Sequence, residues 1–127
     1  MYPVELKYSK DHEWVKVDGN EVTLGITFHA QEAMGDVVFV ELPGVGDAFE
    51  DGESFANIES VKAVSDCYTP VKGTVTAINE TLEDSPELIN NEPYGEGWII
   101  KMEVEDISVL DSLMSSEEYQ EFLKEEE

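Results

Sequence analysis

The stretch "SFANIESVKAVSDCYT", Ser54 to Thr69, decides how the chain is read. "SFANIES" and "AVSDCYT" each read as an extended segment, with β-branched and aromatic residues set among small ones. Only Val61 and Lys62 separate them, so the two segments are expected to form a hairpin with Lys62 at its tip. Lysine is scarce in this chain. All seven basic residues of the 127 are lysine, against thirty acidic ones, for a formal net charge of −23. A base placed at a protruding tip, with Glu59 and Asp66 close in sequence, therefore needs a reason.

Working outward, the rest of the chain reads as short strands punctuated by turns. Upstream, "HEWVKV", the turn "DGN" and "EVTLGI" form a first expected hairpin, in which Val22, Leu24 and Ile26 alternate. "TFHAQEAMG" predicts a short helix capped by Thr27 and ended by Gly35. "DVVFVEL" predicts a well-buried strand, and "PGVGDAFEDGE" a loop. Downstream, Pro70 and Gly73 mark a turn, "GTVTAIN" alternates as a strand, and "GWIIKMEV" predicts the last strand. "LEDSPELIN" predicts a short helix starting near Pro86. Ile107, Leu110 and Met114 then recur at helical spacing. Ser115 and Glu118 form an S-x-x-E capping box that opens a C-terminal helix, with Tyr119, Phe122 and Leu123 on one face.

A weak internal echo flanks the Lys62 tip. "LPGVGDAFEDGESFANI" and "TPVKGTVTAINETLEDSPELI" each carry a turn, an extended run and a further turn at similar distance from it. Two such halves meeting at one hairpin predict a flattened barrel or sandwich, mostly β with peripheral helices. The length, with no linker or low-complexity segment, predicts one domain over residues 1–127.

The charge excludes some function classes. A chain at −23 repels phosphate backbones and anionic membranes, so neither nucleic acid nor membrane is an expected partner. It attracts a basic partner within about 10 Å at 0.1 M salt, or it serves solubility alone. Cys67 is the only cysteine, which fits a reducing compartment. The N-terminal "MYPVELKYSK" lacks the apolar run of a signal peptide, and no stretch approaches the roughly 20 apolar residues of a membrane span. A cytoplasmic protein is the expectation.

Three readings of Lys62 compete. It is an inert surface lysine; or a nucleophile; or a handle for a covalently attached group. A nucleophilic lysine needs desolvation or neighbouring cations, and here the neighbours are Glu59 and Asp66. A handle needs only protrusion, rigid presentation and access, which a hairpin tip beside the small Ala63 supplies. Amide formation would also remove the charge.

At this point the blocks become recognisable together: "DHEWV" (Asp11 to Val15), "GITFHAQEAMGDVVFVELPGVG" (Gly25 to Gly46), "IESVKAVSDCYTPVKG" (Ile58 to Gly73), "INE" (Ile78 to Glu80), "PELIN" (Pro86 to Asn90) and "PYGEGWIIKM" (Pro93 to Met102). Over nearly its whole length the chain resembles the H proteins of the glycine cleavage system, the lipoyl carriers. The resemblance implies a barrel-sandwich hybrid of the biotinyl/lipoyl-carrier type. It implies lipoate in amide linkage on Lys62, with Glu59 at a position linked to recognition by the lipoate-attaching enzyme. It further implies a non-catalytic carrier and a monomer. The arm would receive an aminomethyl group from glycine decarboxylase and present it to the tetrahydrofolate-dependent aminomethyltransferase. Dihydrolipoyl dehydrogenase would then reoxidise the arm. Two alternatives stay open: a related carrier that relays lipoyl groups to other lipoyl domains, and a non-carrier acidic binding protein with an inert Lys62.

Other residues weigh less. Glu13 and Asp66 match family positions near the loaded arm, and a carboxylate there can hold a cationic amine by a charge-assisted hydrogen bond. Asp11 stands where relatives often have a small polar residue. His12 and His29 lack neighbours at metal-ligand spacing, His12 being expected to order the N-terminal loop and His29 to lie on the short helix. Cys67 is expected to be a half-buried strand residue, and Trp14 and Trp98 packing residues. "PGVGDAFEDG" has no lysine or helix start after its glycines, so it is not a phosphate loop.

Overall fold

The structure, a computed structural model, describes residues 2–126. Met1 and Glu127, the last residue of the expected C-terminal helix, lie outside the described residues. The strands are β1 (Lys7–Tyr8), β2 (Glu13–Asp18), β3 (Glu21–Ile26), β4 (Val37–Glu41), β5 (Ala48–Phe49), β6 (Ser54–Ser60), β7 (Val64–Tyr68), β8 (Gly73–Ile78) and β9 (Ile100–Glu103). The helices are α1 (Phe28–Met34), α2 (Thr81–Asp84), α3 (Leu88–Asn91) and α4 (Ser116–Glu126). A six-stranded sheet runs in the order β1-β2-β3-β9-β8-β5, and a three-stranded sheet in the order β4-β6-β7. Every strand pairing is antiparallel. This is the mostly β barrel-sandwich hybrid that the sequence led us to expect.

The alternation in "EVTLGI" sets the β2–β3 register, Val15 opposite Leu24 and Val17 opposite Val22. Gly19, at φ 63, supplies the left-handed residue of the two-residue turn between them. Val15, Val22, Leu24, Ile100 and Met102 from the large sheet meet Val40, Phe55, Ile58 and Cys67 from the small one in a single core. A second cluster, Leu6, Tyr8, Trp14, Tyr119 and Leu123, seats α4 on the outer side of β1 and β2. The capping box forms as read: Ser115 Oγ accepts from the Glu118 amide (3.2 Å), and Glu118 Oε1 accepts from the Ser115 amide (2.9 Å).

The echo around the hairpin has a structural counterpart, because its flanks β5 and β8 pair with each other, Ala48 opposite Thr74. The sheets they join are nonetheless unequal. Four local readings need correcting. Strand β4 is not well buried: Val38 is 54% and Phe39 48% exposed, since one face of the three-stranded sheet is open to solvent. The expected helix after Pro86 is α3, but "LEDSPELIN" also holds most of α2, which was not read, with Ser85 closing α2 through its amide to Thr81 O (2.8 Å). Residues Ile107–Ser112 form a 3-10 turn rather than an α-helix. Cys67 is fully buried rather than half-buried.

Candidate functional site

The β6–β7 hairpin presents Lys62 as read. Glu59 pairs with Val64, which leaves Ser60 to Ala63 as the turn. Ser60 organises it twice. Its amide donates to Ala63 O (2.8 Å), and its hydroxyl oxygen accepts from the Lys62 and Ala63 amides (3.3 and 3.0 Å). A second anchor comes from across the sheet, where the Val61 amide donates to Asp36 O (3.1 Å). The tip is therefore rigid at the backbone while Lys62, Val61 and Ala63 are exposed. Lys62 enters no ion pair among the described residues, despite the acids in its sequence neighbourhood.

The Lys62 stem lies against the turn between α1 and β4. A Cβ added at Gly35 would sit 3.3 Å from Lys62 Cε. Gly35 has φ 80 and ψ −158, a conformation that favours glycine, and it ends α1 by donating its amide to Gln31 O. Asn90 braces this turn from α3. Its Nδ2 donates to Gly35 O (2.8 Å) and Gln31 Oε1 (3.1 Å), and its Oδ1 accepts from the Val37 amide (2.8 Å). The helix start is equally fixed, because Thr27 Oγ1 accepts from the Ala30 amide (3.2 Å).

Between α1 and β7 runs a cleft of about 260 Å³. One part is apolar, lined by Ala30, Ala33 and Met34 of α1 with Ile58 and Cys67. The other part is polar, lined by Asp11, His12, Glu13, His29 and Asp66. The two acids singled out from sequence thus meet at one cleft, but in different states. Glu13 is 1% exposed, with Oε1 accepting from Ser9 Oγ (2.9 Å) and Oε2 from the Tyr68 amide (3.1 Å). Burial pushes its carboxyl up to about 8, which these two bonds only partly oppose, and nearby Asp11 adds to the rise. Asp66 is exposed, sits in register with Asn57, and accepts from Asn57 Nδ2 (2.8 Å) at the lip of a second, open cleft. Glu59 lies on the outer face of the small sheet, between Phe39 and Val64. Burial holds the Cys67 thiol well above its ordinary range, so it is inert.

His12 takes a left-handed backbone, φ 67, and its Nδ1 is 2.7 Å from Tyr119 OH. The same hydroxyl is 2.8 Å from Thr27 Oγ1, so α4 ties together the loop before β2 and the cap of α1. The His12 and His29 rings lie 4.8 Å apart at the cleft mouth. The bridging role of Tyr119, the brace at Asn90 and the Ser9 contact were not read from sequence. The partners of Tyr119 lie 92 and 107 residues away and those of Asn90 53, 55 and 59, beyond any local pattern, whereas Ser9 is only four residues from Glu13. Trp14 and Trp98 are packing residues: Trp14 is buried with Nε1 donating to Pro93 O (2.8 Å), and Trp98 lies under Lys101.

This arrangement suits a tethered arm. Ser65 is three residues from Lys62 along β7, about 10 Å on an extended strand. A lysine stem lengthened by an acyl chain spans that distance, with small side chains beneath it and a carboxyl at the far end. The sequence and the fold have close counterparts. The family model for the glycine cleavage H-protein matches residues 6–126. A glycine cleavage system H protein of Carboxydothermus hydrogenoformans is 54% identical over 126 residues, covering 99% of this chain and 97% of that protein. One of Coprothermobacter proteolyticus is 58% identical over 121 residues, covering 94% and 95%. The crystal structure of a glycine cleavage system H protein from Mycobacterium marinum superposes with a TM-score of 0.87 at 36% identity, covering 96% of this chain and 98% of the other. By sequence and by fold, this chain belongs to the glycine cleavage H-protein family.

Proposed function

We propose that this chain, as one carrier domain over residues 1–127, bears lipoate in amide linkage on Lys62 Nζ. The observation that carries the assignment is the β6–β7 tip: an exposed lysine, in no ion pair among the described residues, on a backbone locked by Ser60 and by Asp36 O. The protein is a non-catalytic lipoyl carrier of the glycine cleavage system. It serves glycine decarboxylase, the aminomethyltransferase and dihydrolipoyl dehydrogenase, and a lipoate-attaching enzyme loads it. We place it in the cytoplasm, in keeping with its single unpaired cysteine.

Bound lipoate supplies the sulfur chemistry that no side chain of this protein offers. The chain itself presents, steers and shelters. Ser60 fixes the direction in which Lys62 leaves the sheet. Gly35 leaves the stem room to lie over the end of α1. Ala30, Ala33 and Met34 offer an apolar wall that excludes water from the arm. Glu13 and Asp66 offer carboxyl oxygens to a cationic amine at the cleft's polar end. Glu59, on the exposed outer face three residues before Lys62, marks the tip for the lipoate-attaching enzyme.

Intact mass of the protein from its native host tests the reading. The expected result is one lipoyl addition, mapped to Lys62 by peptide sequencing and lost in Lys62→Arg. Lipoylated protein should support glycine–bicarbonate exchange by glycine decarboxylase. Unmodified protein in a host with active lipoate attachment, or retained exchange in Lys62→Arg, would refute it.

A further inference from the structure

Exposed apolar side chains are few in a chain this acidic, and they cluster. Among the described residues nine large hydrophobic side chains are exposed, and four of them, Val38, Phe39, Val61 and Val64, surround the Lys62 tip. Phe39, Glu59 and Val64 lie side by side in register across β4, β6 and β7, on the outer face of the small sheet. Val61 sits beyond this row in the turn, 69% exposed. Val38 joins it because β4 carries an extra residue, relative to β6, between Val37 and Phe39. Such a bulge breaks the alternation, so Val38 and Phe39 both face solvent while Val37 and Val40 on either side are buried. Acids flank the patch. Glu59 stands within the row, Glu41 and Asp66 stand in the next row on either side of Asn57, and Asp36 lies beside the tip. Lys62 is the only base on these three strands and their tip.

We propose that this bulged apolar patch is the docking surface for the lipoate-attaching enzyme, whose matching face is an apolar hollow rimmed by lysine or arginine side chains. The proposal rests on the reading of Lys62 as the attachment site. Contact takes Val38, Phe39 and Val64 out of water, which drives association. The flanking acids draw a basic rim into register and repel an acidic one. A second copy of this chain, at −23, is such an acidic surface, so self-pairing through the patch is opposed. The reach of the lysine selects among partners. Before attachment the amine stands only a bare lysine stem from the tip, so the enzyme that acylates it closes on the tip itself and covers the collar around it. Enzymes that work at the far end of the installed arm meet it an arm's length away and need less of the patch. The tip is also rigid, because Ser60 and Asp36 O hold its backbone, so docking orders little of the chain there.

The test is steady-state lipoylation of the unmodified chain by a purified lipoate-attaching enzyme with lipoate and ATP, product being read by intact mass as the carrier concentration is varied. Phe39→Thr combined with Val64→Thr keeps β-forming residues on both strands. The pair should raise the KM for the carrier about tenfold or more and leave kcat within about twofold, since docking is lost and the chemistry at the amine is not. Phe39→Leu, which keeps an apolar side chain, should hold most of the parent KM. Val109→Thr, at an exposed valine on the 3-10 turn, should change neither constant. High salt should raise the parent KM as well, by screening the flanking acids. An unchanged KM in the double variant overturns the proposal. So does a KM that holds for attachment but rises for glycine–bicarbonate exchange, since the patch then serves glycine decarboxylase. A dimer of the parent chain on gel filtration that Phe39→Thr dissolves overturns it too, the occupant then being a second copy. In all three cases a parent chain lipoylated at Lys62 leaves the carrier assignment standing. A parent chain that takes no lipoate at Lys62 overturns that assignment and this proposal with it.

Discussion

Asn90 should control the position of the Lys62 tip without touching it. Its side chain holds the two residues that flank Asp36, through Gly35 O and the Val37 amide. Asp36 O in turn holds the Val61 amide at the tip. Asn90→Ala takes this partner from three groups, the buried Val37 amide, the half-buried Gly35 carbonyl and Gln31 Oε1, at up to about 1–3 kcal/mol for each left unsatisfied. Water reaches the carbonyl side, so the total should fall at about 2–3 kcal/mol, or about 8–12 °C in Tm for a chain of this length. Asn90→Asp is the sharper variant. It keeps the acceptor for Val37 but sets a second acceptor against Gly35 O and Gln31 Oε1, so it should cost at least as much as alanine above pH 6. Urea unfolding gives the stability, and amide hydrogen exchange at Val61 gives the local effect. Val61 should lose more protection than core amides such as Leu24. A cost under about 0.5 kcal/mol for Asn90→Ala, or a Val61 loss no larger than the global one, would refute the bracing argument.

Other positions give equally direct tests. Gly35→Ala places a side chain at φ 80 and its Cβ 3.3 Å from Lys62 Cε; it should cost about 1–3 kcal/mol and slow attachment at Lys62 in a lipoylation time course. Lys62→Arg, on an exposed tip, should leave Tm within about 1 °C of the parent while abolishing lipoylation in intact mass. Glu13 carries a pH signature whose sign is fixed. Its folded pKa, about 8, lies above the ordinary 4.5, so the folded chain keeps a proton that the unfolded chain releases. Its favourable contribution is present in full below pH 4.5 and is lost as pH rises through 8. Glu13→Gln should therefore gain stability relative to the parent between pH 5 and 8, read as the difference of two Tm–pH curves; a flat difference would show that Glu13 is ionised in the folded state. Gly25→Ala drives a Cβ to 2.6 Å from the Trp14 indole, and should cost about 3 kcal/mol or more, seen as early loss of near-ultraviolet circular dichroism on heating.

Most of the fold could be read locally. The β2–β3 and β6–β7 hairpins follow from alternation and short turns, and α1 and α4 from caps that the structure reproduces atom for atom at Thr27, Ser115 and Glu118. The misreadings share a physical cause. The run "DVVFVEL" carries apolar residues on both faces, but composition does not say whether a second layer covers the outer one, and at Val38 and Phe39 none does. Helical spacing at Ile107, Leu110 and Met114 fits a 3-10 turn as well as an α-helix over so short a span. At the site, Lys62 was legible as a handle on a hairpin tip, whereas Glu13 and Asp66 came from a resemblance, and the structure adds that these two share a cleft in opposite environments. What no sequence pattern announced was the set of long-range hydrogen bonds that hold the cleft's walls, because a bond between α4 and the α1 cap has no signature in either segment alone.

The distribution of charge separates two demands on such a carrier. A surface at −23 draws basic partner surfaces from a distance but would also hold any cation indiscriminately if its acids all reached the cleft. Burial makes Glu13 an exception, its carboxyl pushed up to about 8. A lysine placed beside it would lower its pKa again and occupy its charge. The seven lysines stand elsewhere, and the one at the hairpin loses its charge when it is acylated.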